Sequence, residues 1–305
     1  MNKILSPITL SDDVTLIRKI NVKDIIKLYK SFEINVSENF NSLTEVSIFQ
    51  CNQTGYKFYY PFNMGGGNLF YQHFQNFDWY YMPWKWEHEI AKSYIRSGMN
   101  LLEVGCANGA FLKRINEMYS LNNSIGLELN ESTQIQNESW QIINANVEEY
   151  SINHQNEFDI VCSFQVLEHI AEIKSFIDGN IKCLKPGGKL IISVPNNNSF
   201  LQSLEAPLNM PPHHMGLWTE DSLKALTDFF PLKVLNVHLE TLNEYHVDNY
   251  LSSIRYNSSN EFYNFMVRKF DRLTGKYKRL KLKINDNKDS IIGHTILIVY
   301  EKLRA

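Results

Sequence analysis

The stretch LLEVGCANGAF, residues 101–111, decides the fold of this chain. It opens as an apolar run, passes through Gly105 and Gly109, and continues into apolar residues at helical spacing. This pattern predicts a strand, a tight turn and the start of a helix. Glycines in such a turn let backbone amides approach a ligand at the positive end of a helix. We therefore expect a nucleotide or nucleoside site at the edge of an open α/β sheet.

Strands and helices alternate on the carboxyl side of this stretch. Apolar runs predict further strands at 124–129, 141–145, 158–164 and 189–194. Between these strands lie segments with apolar residues at helical spacing, and helices are expected over 131–139 and 170–184. The alternation predicts a parallel sheet covered by helices on both faces. The last two predicted strands, 232–239 and 294–301, are expected to form a terminal antiparallel pair.

Composition limits the function classes. The net charge of -3 over 305 residues gives no reason to expect a nucleic-acid partner. The four cysteines lie far apart without a CxxC pair, which favours buried free thiols over disulfides or a zinc site. No apolar run reaches about 18 residues, so no transmembrane segment is predicted. A cytoplasmic location is the expectation.

Two carboxylates indicate the ligand. Glu128 ends the second predicted strand, 19 positions after Gly109 (128 − 109), where an acid can accept hydrogen bonds from ribose hydroxyls. Dinucleotide enzymes share this acid, but their turn is G-x-G-x-x-G and this one is G-x-x-x-G. Glu103, two residues before Gly105, would repel a pyrophosphate and suits an ammonium group. The pattern favours a ribonucleoside with a cationic tail; a dinucleotide oxidoreductase is the alternative.

Four motifs in order resemble those of class I S-adenosylmethionine-dependent methyltransferases: 103–109, 126–128, 158–161 and 184–190. The resemblance covers roughly residues 85–240 and the last strand. It implies an α/β fold with a doubly wound, Rossmann-like, mostly parallel sheet of seven strands in the order 3-2-1-4-5-7-6. We expect an N-terminal lobe or lid over 1–83 and a methyltransferase domain over 84–305, with an insertion at 241–290 before the last strand.

The resemblance also implies the cofactor, S-adenosyl-L-methionine, and its site. Glu103 and the glycine turn would lie near the methionine part, Glu128 would bind the ribose, and Asn146-Val147 would lie beside the adenine. Ala107 stands where the family usually has a glycine. The complete set of expected cofactor-binding residues is Glu103, Gly105, Ala107, Asn108, Gly109, Glu128, Leu129, Asn146, Val147, Phe164 and Gln165.

Two other segments concern the acceptor. Residues 165–169, QVLEH, are similar to the E-x-x-E-H stretch that is associated with a metal in quinone-pathway O-methyltransferases. Gln165 replaces the first acid, so no metal is expected, and Glu168 and His169 are interpreted as holding the loop in shape. Residues 211–219 resemble the His-His-x-x-x-Trp loop of small-molecule methyltransferases from glycan and secondary-metabolite pathways.

The histidines of these segments are the catalytic candidates. The loop at 211–219 follows the fifth strand and so lies at the ligand-binding edge of the sheet. His213 or His214 can take a proton from an acceptor hydroxyl, with one of the pair structural instead. His169 is the third candidate.

The function expected from the resemblance is O-methylation of a small molecule or glycan precursor. A C- or N-methyltransferase of the same fold and a catalytically silent, cofactor-binding partner subunit are the alternatives. The aromatic-rich residues 56–83 are either core or a lid over the site. The basic residues 268–283 are either a solvated helix face or a patch for an anionic partner. The N-terminal lobe is the expected contact for a homo-oligomer.

Overall fold

The protein is described by a computed structural model, which covers residues 3–67, 70–71, 73–76, 82–130, 135–136, 139–203, 206–258 and 260–304. These residues contain two β-sheets with helices around them. The strands, numbered in chain order, are β1 (Val14–Asn21), β2 (Glu45–Cys51), β3 (Lys57–Tyr60), β4 (Asn100–Val104), β5 (Asn123–Glu128), β6 (Ile135–Gln136), β7 (Gln141–Asn144), β8 (Phe158–Phe164), β9 (Leu184–Pro195), β10 (Gly216–Leu217), β11 (Leu232–Thr241) and β12 (Ile292–Lys302).

Helices cover both faces of the larger sheet and form most of the segment before its last strand. In chain order they are α1 (Val22–Lys30), α2 (Trp86–Lys92), α3 (Ala110–Met118), α4 (Val147–Asn153), α5 (Ile173–Cys183), α6 (Glu220–Lys224), α7 (Val247–Arg255), α8 (Glu261–Leu273) and α9 (Lys276–Asn285).

The larger sheet has the strand order β11-β12-β9-β8-β4-β5-β7-β6. Neighbours from β9 to β7 run parallel, while β12 is antiparallel to both β9 and β11. The prediction of a mostly parallel sheet is confirmed, but the sheet contains eight strands and not seven. The additional strand is β6, which pairs antiparallel with β7. The predicted helix over 131–139 is therefore wrong at Ile135–Gln136, and its residues 131–134 and 137–138 lie outside the described residues.

The central strands are buried on both faces, as the continuous apolar runs require. Neighbouring residues of one strand point to opposite faces and belong to different cores. One core contains Leu101, Ile160, Ile191 and Leu297. The other contains the residues that follow them, Leu102, Val161, Ile192 and Ile298. This arrangement leaves the carboxyl ends of the parallel strands as the edge at which the loops can form a site.

The smaller sheet has the order β1-β2-β3-β10 and is antiparallel throughout. Its last strand, β10, comes from the loop after β9 and not from the N-terminal region. Met210 and Met215 of that loop are buried in one cluster with Tyr29, Phe40 and Phe74. The histidine-containing loop is thereby fixed between the two sheets. The division into a lobe at 1–83 and a domain at 84–305 remains a prediction, and β10 links the two regions.

The segment 241–290 forms α7, α8 and α9, which pack around a small core that also contains Phe200 and Leu201. The basic residues of 268–283 lie on α8 and α9, and the only acid among them, Asp271, is fully buried. Its carboxylate accepts hydrogen bonds from Arg255 (Nη2 to Oδ1, 3.0 Å) and from the Tyr256 hydroxyl (2.9 Å). In the part of the chain that is described, no helix is both long enough and apolar enough to cross a bilayer.

Candidate active site

The turn after β4 forms the floor of the site. Gly105 and Gly109 have φ angles of 76° and 72°, in the left-handed region that favours glycine. A side chain at either position would also clash, because a Cβ at Gly105 would meet Val166 at 2.4 Å and one at Gly109 would meet Trp140 at 2.6 Å. Between them Ala107 has a φ of 48°, also left-handed. The turn therefore uses glycine at two of its three left-handed positions.

Glu128 is fixed at the end of β5 by the backbone around it. Its carboxylate accepts hydrogen bonds from the amides of Ala107 (2.9 Å), Leu129 (2.9 Å) and Asn130 (3.1 Å). The turn is tied to the same strand by the Gly105 amide, which donates to the Leu127 carbonyl at 2.8 Å. The side chain is thus held ready to bind a ligand, with remaining lone pairs on its two oxygens.

Glu103 is the second carboxylate of the floor and is 4% exposed. Burial, followed by the charge of Glu128, holds the pKa of Glu103 well above its usual range. No hydrogen-bond donor among the described residues reaches its Oε2. A buried acceptor without a donor costs free energy, so this atom fits a ligand that brings a donor, and a cationic donor best.

The remaining cofactor candidates lie around the same space. Asn146 caps α4, its side chain accepting from the Glu149 amide at 2.7 Å, and Val147 begins that helix. Gln165 follows β8 with a φ of 56°, and its side chain lies 3.5 Å from the Glu87 carboxylate. One cavity of about 1740 Å3 is lined by all of the expected cofactor-binding residues except Gly109, whose backbone packs against Trp140.

The three catalytic candidates line this cavity as well. His169 follows β8, whereas His213 and His214 come from the loop before β10, so the fold brings together positions 44 residues apart. The ring centroids are separated by 4.7 Å (His169–His213), 5.0 Å (His169–His214) and 4.5 Å (His213–His214). The sequence placed these histidines at the same edge of the sheet but gave no sign that they form a single cluster.

Each ring of this cluster is oriented by an oxygen atom. Nδ1 of His169 donates to the His213 carbonyl (2.6 Å), Nδ1 of His213 to the Leu208 carbonyl (2.8 Å), and Nδ1 of His214 lies 3.2 Å from the Asn209 side-chain oxygen. Burial lowers the pKa of His169 to about 4 and holds the pKa values of His213 and His214 well below the ordinary value. The three rings are therefore neutral at neutral pH.

Glu168 supports the histidine loop through its backbone and adds a carboxyl group to the cavity. Its carbonyl accepts from the amides of Met215 (2.8 Å) and Gly216 (3.1 Å), which holds the start of β10 beside β8. The side chain is 1% exposed, and burial raises its pKa to about 8. Within the described residues its Oε2 also has no hydrogen-bond partner.

Several polar residues of the cavity were missed from the sequence. Glu87 and His88 of α2, His246 before α7 and His294 of β12 all line it. The rings of His246 and His294 are stacked, with centroids 4.7 Å apart. The sequence did contain a signal for Glu87 and His88. They precede Ala91 by four and three positions, so they lie on the apolar face of α2. Tyr245, beside His246, is a further lining residue.

The described aromatic residues of the stretch 56–83 include both core and cavity residues. Phe58 and Phe74 are buried in hydrophobic clusters. Tyr71 lines the cavity, with its hydroxyl 3.4 Å from the His213 carbonyl and its ring 5.5 Å from that of His169. Phe77, Trp79, Tyr80 and Tyr81 lie outside the described residues, so the lid stays a prediction.

Comparison with known proteins identifies the family of this chain. A family model described as a methyltransferase domain matches residues 79–237, which is 159 of 305 residues (237 − 79 + 1) and more than half of the chain. The mitochondrial ubiquinone biosynthesis O-methyltransferase of Dictyostelium discoideum is 32% identical over 130 residues, covering 36% of this chain and 39% of that protein. The chain thus spans less than two thirds of the length of this relative.

Two further matches are more distant. Malonyl-acyl-carrier-protein O-methyltransferase 2 of Ilyobacter polytropus is 26% identical over 200 residues, covering 59% of this chain and 74% of that protein. The crystal structure of a SAM-dependent methyltransferase from Archaeoglobus fulgidus is 17% identical, with a TM-score of 0.47 over 70% of this chain and 94% of its own. On the family match, the chain belongs to the class I S-adenosylmethionine-dependent methyltransferases.

Proposed function

We propose that this protein transfers the methyl group of S-adenosylmethionine to a hydroxyl oxygen of a small molecule or glycan precursor. The observation that carries the proposal is that the carboxylates of the glycine turn and the histidine cluster line one continuous cavity. When bound, S-adenosylmethionine supplies a methyl group already activated by its sulfonium. The chain's own residues then have to bind and orient the cofactor and the acceptor, exclude water and remove the proton of the acceptor hydroxyl.

The residues of the turn fit the cofactor chemically. The buried Glu103 carboxyl has an acceptor atom that no described residue satisfies, which suits an ammonium group. Glu128, fixed by three backbone amides, would accept from ribose hydroxyls, and Asn146 and Val147 would lie beside the adenine. Phe164 and Gln165 would line the cofactor at the end of β8. We assign the strands other than β6 to the order 3-2-1-4-5-7-6, and the observed sequence β7-β5-β4-β8-β9-β12-β11 supports that assignment.

The histidine cluster suits the acceptor side of the cavity. A neutral imidazole that donates from Nδ1 carries a lone pair on Nε2, so each ring can accept a proton. Burial holds the pKa values of His213 and His214 well below the ordinary value, so each ring is a weak base, which removes a proton more readily from an acidic, phenol-like hydroxyl than from an aliphatic alcohol. We therefore favour an acceptor with an acidic hydroxyl, and we assign the proton-accepting role to His213 or His214 with His169 beside them.

The proposal is tested by transfer of a labelled methyl group to a panel of phenols, sugar hydroxyls and amines. O-methylated product is expected, with phenols preferred. Replacement of both His213 and His214 by alanine should lower turnover by about 100-fold while cofactor affinity is retained. An N- or C-methylated product would show that the methyl group is transferred to nitrogen or carbon and not to oxygen. Cofactor binding without turnover on any acceptor would instead favour a silent partner subunit.

A further inference from the structure

The histidine cluster has the features of a metal site. His169, His213 and His214 each offer one ring nitrogen, and these three atoms lie within 4.8 Å of one another. Two of the three residues are adjacent in one loop and the third follows β8, so the set depends on the tertiary fold. All three side chains line the large cavity, which gives a bound ion a side that faces substrate space.

The orientation of the rings supports this function. A metal-binding histidine typically donates from its other ring nitrogen to a carbonyl or carboxylate, which fixes the tautomer and the direction of the ring. Here Nδ1 of His169 and His213 faces a backbone carbonyl, and Nδ1 of His214 faces the Asn209 amide oxygen. In each ring the hydrogen on Nδ1 leaves Nε2 as the nitrogen with a lone pair.

A second, independent observation lies next to the cluster. The Glu168 carboxyl is 1% exposed, its Oε2 has no hydrogen-bond partner among the described residues, and its Oε1 lies 4.0 Å from Nε2 of His169. A buried carboxyl in this position is costly unless a cation or a donor compensates for it. An ion at the histidines would provide that compensation.

We propose that His169, His213 and His214 bind a divalent transition-metal ion that prefers nitrogen ligands, with Glu168 as the adjoining carboxylate. Imidazole suits zinc and related ions, whereas magnesium and calcium prefer oxygen. Zinc–nitrogen bonds of about 2.0–2.1 Å in tetrahedral geometry require ligand atoms about 3.3 Å apart. Separations of up to 4.8 Å therefore imply that the ligand atoms come closer together by up to about 1.5 Å on binding.

The role of the ion rests on the proposed function. Three protein ligands leave a position open toward the cavity, where an acceptor hydroxyl can bind and its pKa can fall. With the ion bound, the lone pairs of His213 and His214 are engaged as ligands, so the hydroxyl would release its proton to water in place of these rings. Its oxygen would then form the new bond to the methyl carbon as the carbon–sulfur bond breaks. No redox change is involved. This role removes the need for a strong base among rings that burial keeps neutral.

The binding experiment uses the full-length protein, depleted of metal with a chelator and titrated with zinc chloride by calorimetry. One zinc ion per chain is expected, and alanine at His169, His213 or His214 should weaken affinity by about 100-fold or more. The matched control is His73→Ala, at an exposed histidine outside the cavity. Binding of substoichiometric zinc, or equal affinity in the wild type and the three variants, would overturn the site.

A measurement on the wild-type chain covers the case in which a variant fails to fold. Cobalt(II) should give the intense visible absorption of a tetrahedral, nitrogen-ligated ion, and zinc should displace it; weak octahedral bands would overturn the site. These readouts do not depend on methyl transfer, so a failure of the proposed function is distinguishable from a failure of the site. If zinc binds but its removal leaves methyl transfer unchanged, the role in activating the hydroxyl is overturned.

Discussion

The amide of Ala107 donates a hydrogen bond of 2.9 Å to the carboxylate of Glu128, which joins the glycine turn to the end of the neighbouring strand. One side chain thus helps to shape the turn and also presents the oxygens that are proposed to bind ribose. Removal of this carboxylate affects both functions at once. The two effects can be separated in part, because Gln keeps one acceptor oxygen but loses the charge and replaces the other oxygen with an NH2 donor.

Replacement of Glu128 by alanine should weaken S-adenosylmethionine binding by about 1.5–3 kcal/mol, the loss typical of a charge-assisted hydrogen bond. The affinity of Glu128→Gln for the cofactor should lie between those of Glu128→Ala and the wild type. Calorimetric titration with the cofactor measures both. Glu117→Ala, which removes an exposed carboxylate from α3, is the control and should bind as the wild type does. Wild-type affinity in Glu128→Ala would mean that another residue binds the ribose.

A second prediction concerns the backbone of the turn. Ala107 has a φ of 48°, and a residue with a Cβ pays about 1–2 kcal/mol in the left-handed region. Glycine removes that strain but is more flexible in the unfolded chain, so Ala107→Gly should stabilise the protein by at most about 1 kcal/mol. Thermal unfolding provides the measurement. Ala110→Gly, at the first position of α3, should destabilise instead; a loss of stability in both variants would refute the strain at Ala107.

The glycine turn could be predicted from the sequence because its requirements are local. Gly105 and Gly109 must be glycine at their positive φ angles, and Glu128 follows one strand later at a fixed separation. The strand β6 could not be predicted, because two residues are too few to show a period and their conformation depends on pairing with β7. Likewise, α4 was missed although Asn146 caps it.

The acceptor side of the site depends on long-range contacts. His169 meets His213 and His214 only because β10 joins the smaller sheet and the Glu168 carbonyl binds the loop before it. His246 and His294 reach the same cavity from the segment before the last strand and from that strand itself. Spacing along the chain places such residues at an edge of the sheet, but it does not determine which side chains face each other.

The pH dependence of cofactor binding provides a third prediction. Burial and the charge of Glu128 keep the pKa of Glu103 well above its usual range, so the carboxyl is protonated in the unliganded protein until the pH exceeds that raised value. An ammonium group requires the carboxylate, so binding releases a proton and affinity should rise with pH, at most tenfold per pH unit. Calorimetry between pH 6 and 8, in buffers of different ionisation enthalpy, measures the affinity and the proton release together.

Two variants test the assignment of this proton. Glu103→Gln should bind the cofactor more weakly and with little pH dependence, because the amide cannot ionise. Glu168→Gln removes another buried carboxyl with a raised pKa from the same cavity and should keep the wild-type dependence of affinity on pH. If the affinity of Glu103→Gln depends on pH as steeply as that of the wild type, the released proton comes from a different group.

The last prediction concerns the insertion. Asp271 is buried against Arg255 and Tyr256, and the hydrogen bonds with Arg255 hold the pKa of Asp271 below its usual value. A carboxylate whose folded-state pKa is lowered stabilises the protein above the unfolded pKa, and this contribution is lost as the pH falls through the folded pKa. Asp271→Asn should therefore lower stability at pH 7 by about 1–3 kcal/mol.

The difference in Tm between Asp271→Asn and the wild type should be largest near pH 7 and should shrink below about pH 4, because the carboxylate of the unfolded chain takes up a proton before that of the folded protein. Asp289→Asn changes an exposed acid in the same segment and should leave the Tm unchanged at both pH values. Cofactor affinity should be unchanged in both variants, because neither Asp271 nor Asp289 lines the cavity. A loss of cofactor binding in folded Asp271→Asn would show instead that the insertion and the cofactor site are coupled.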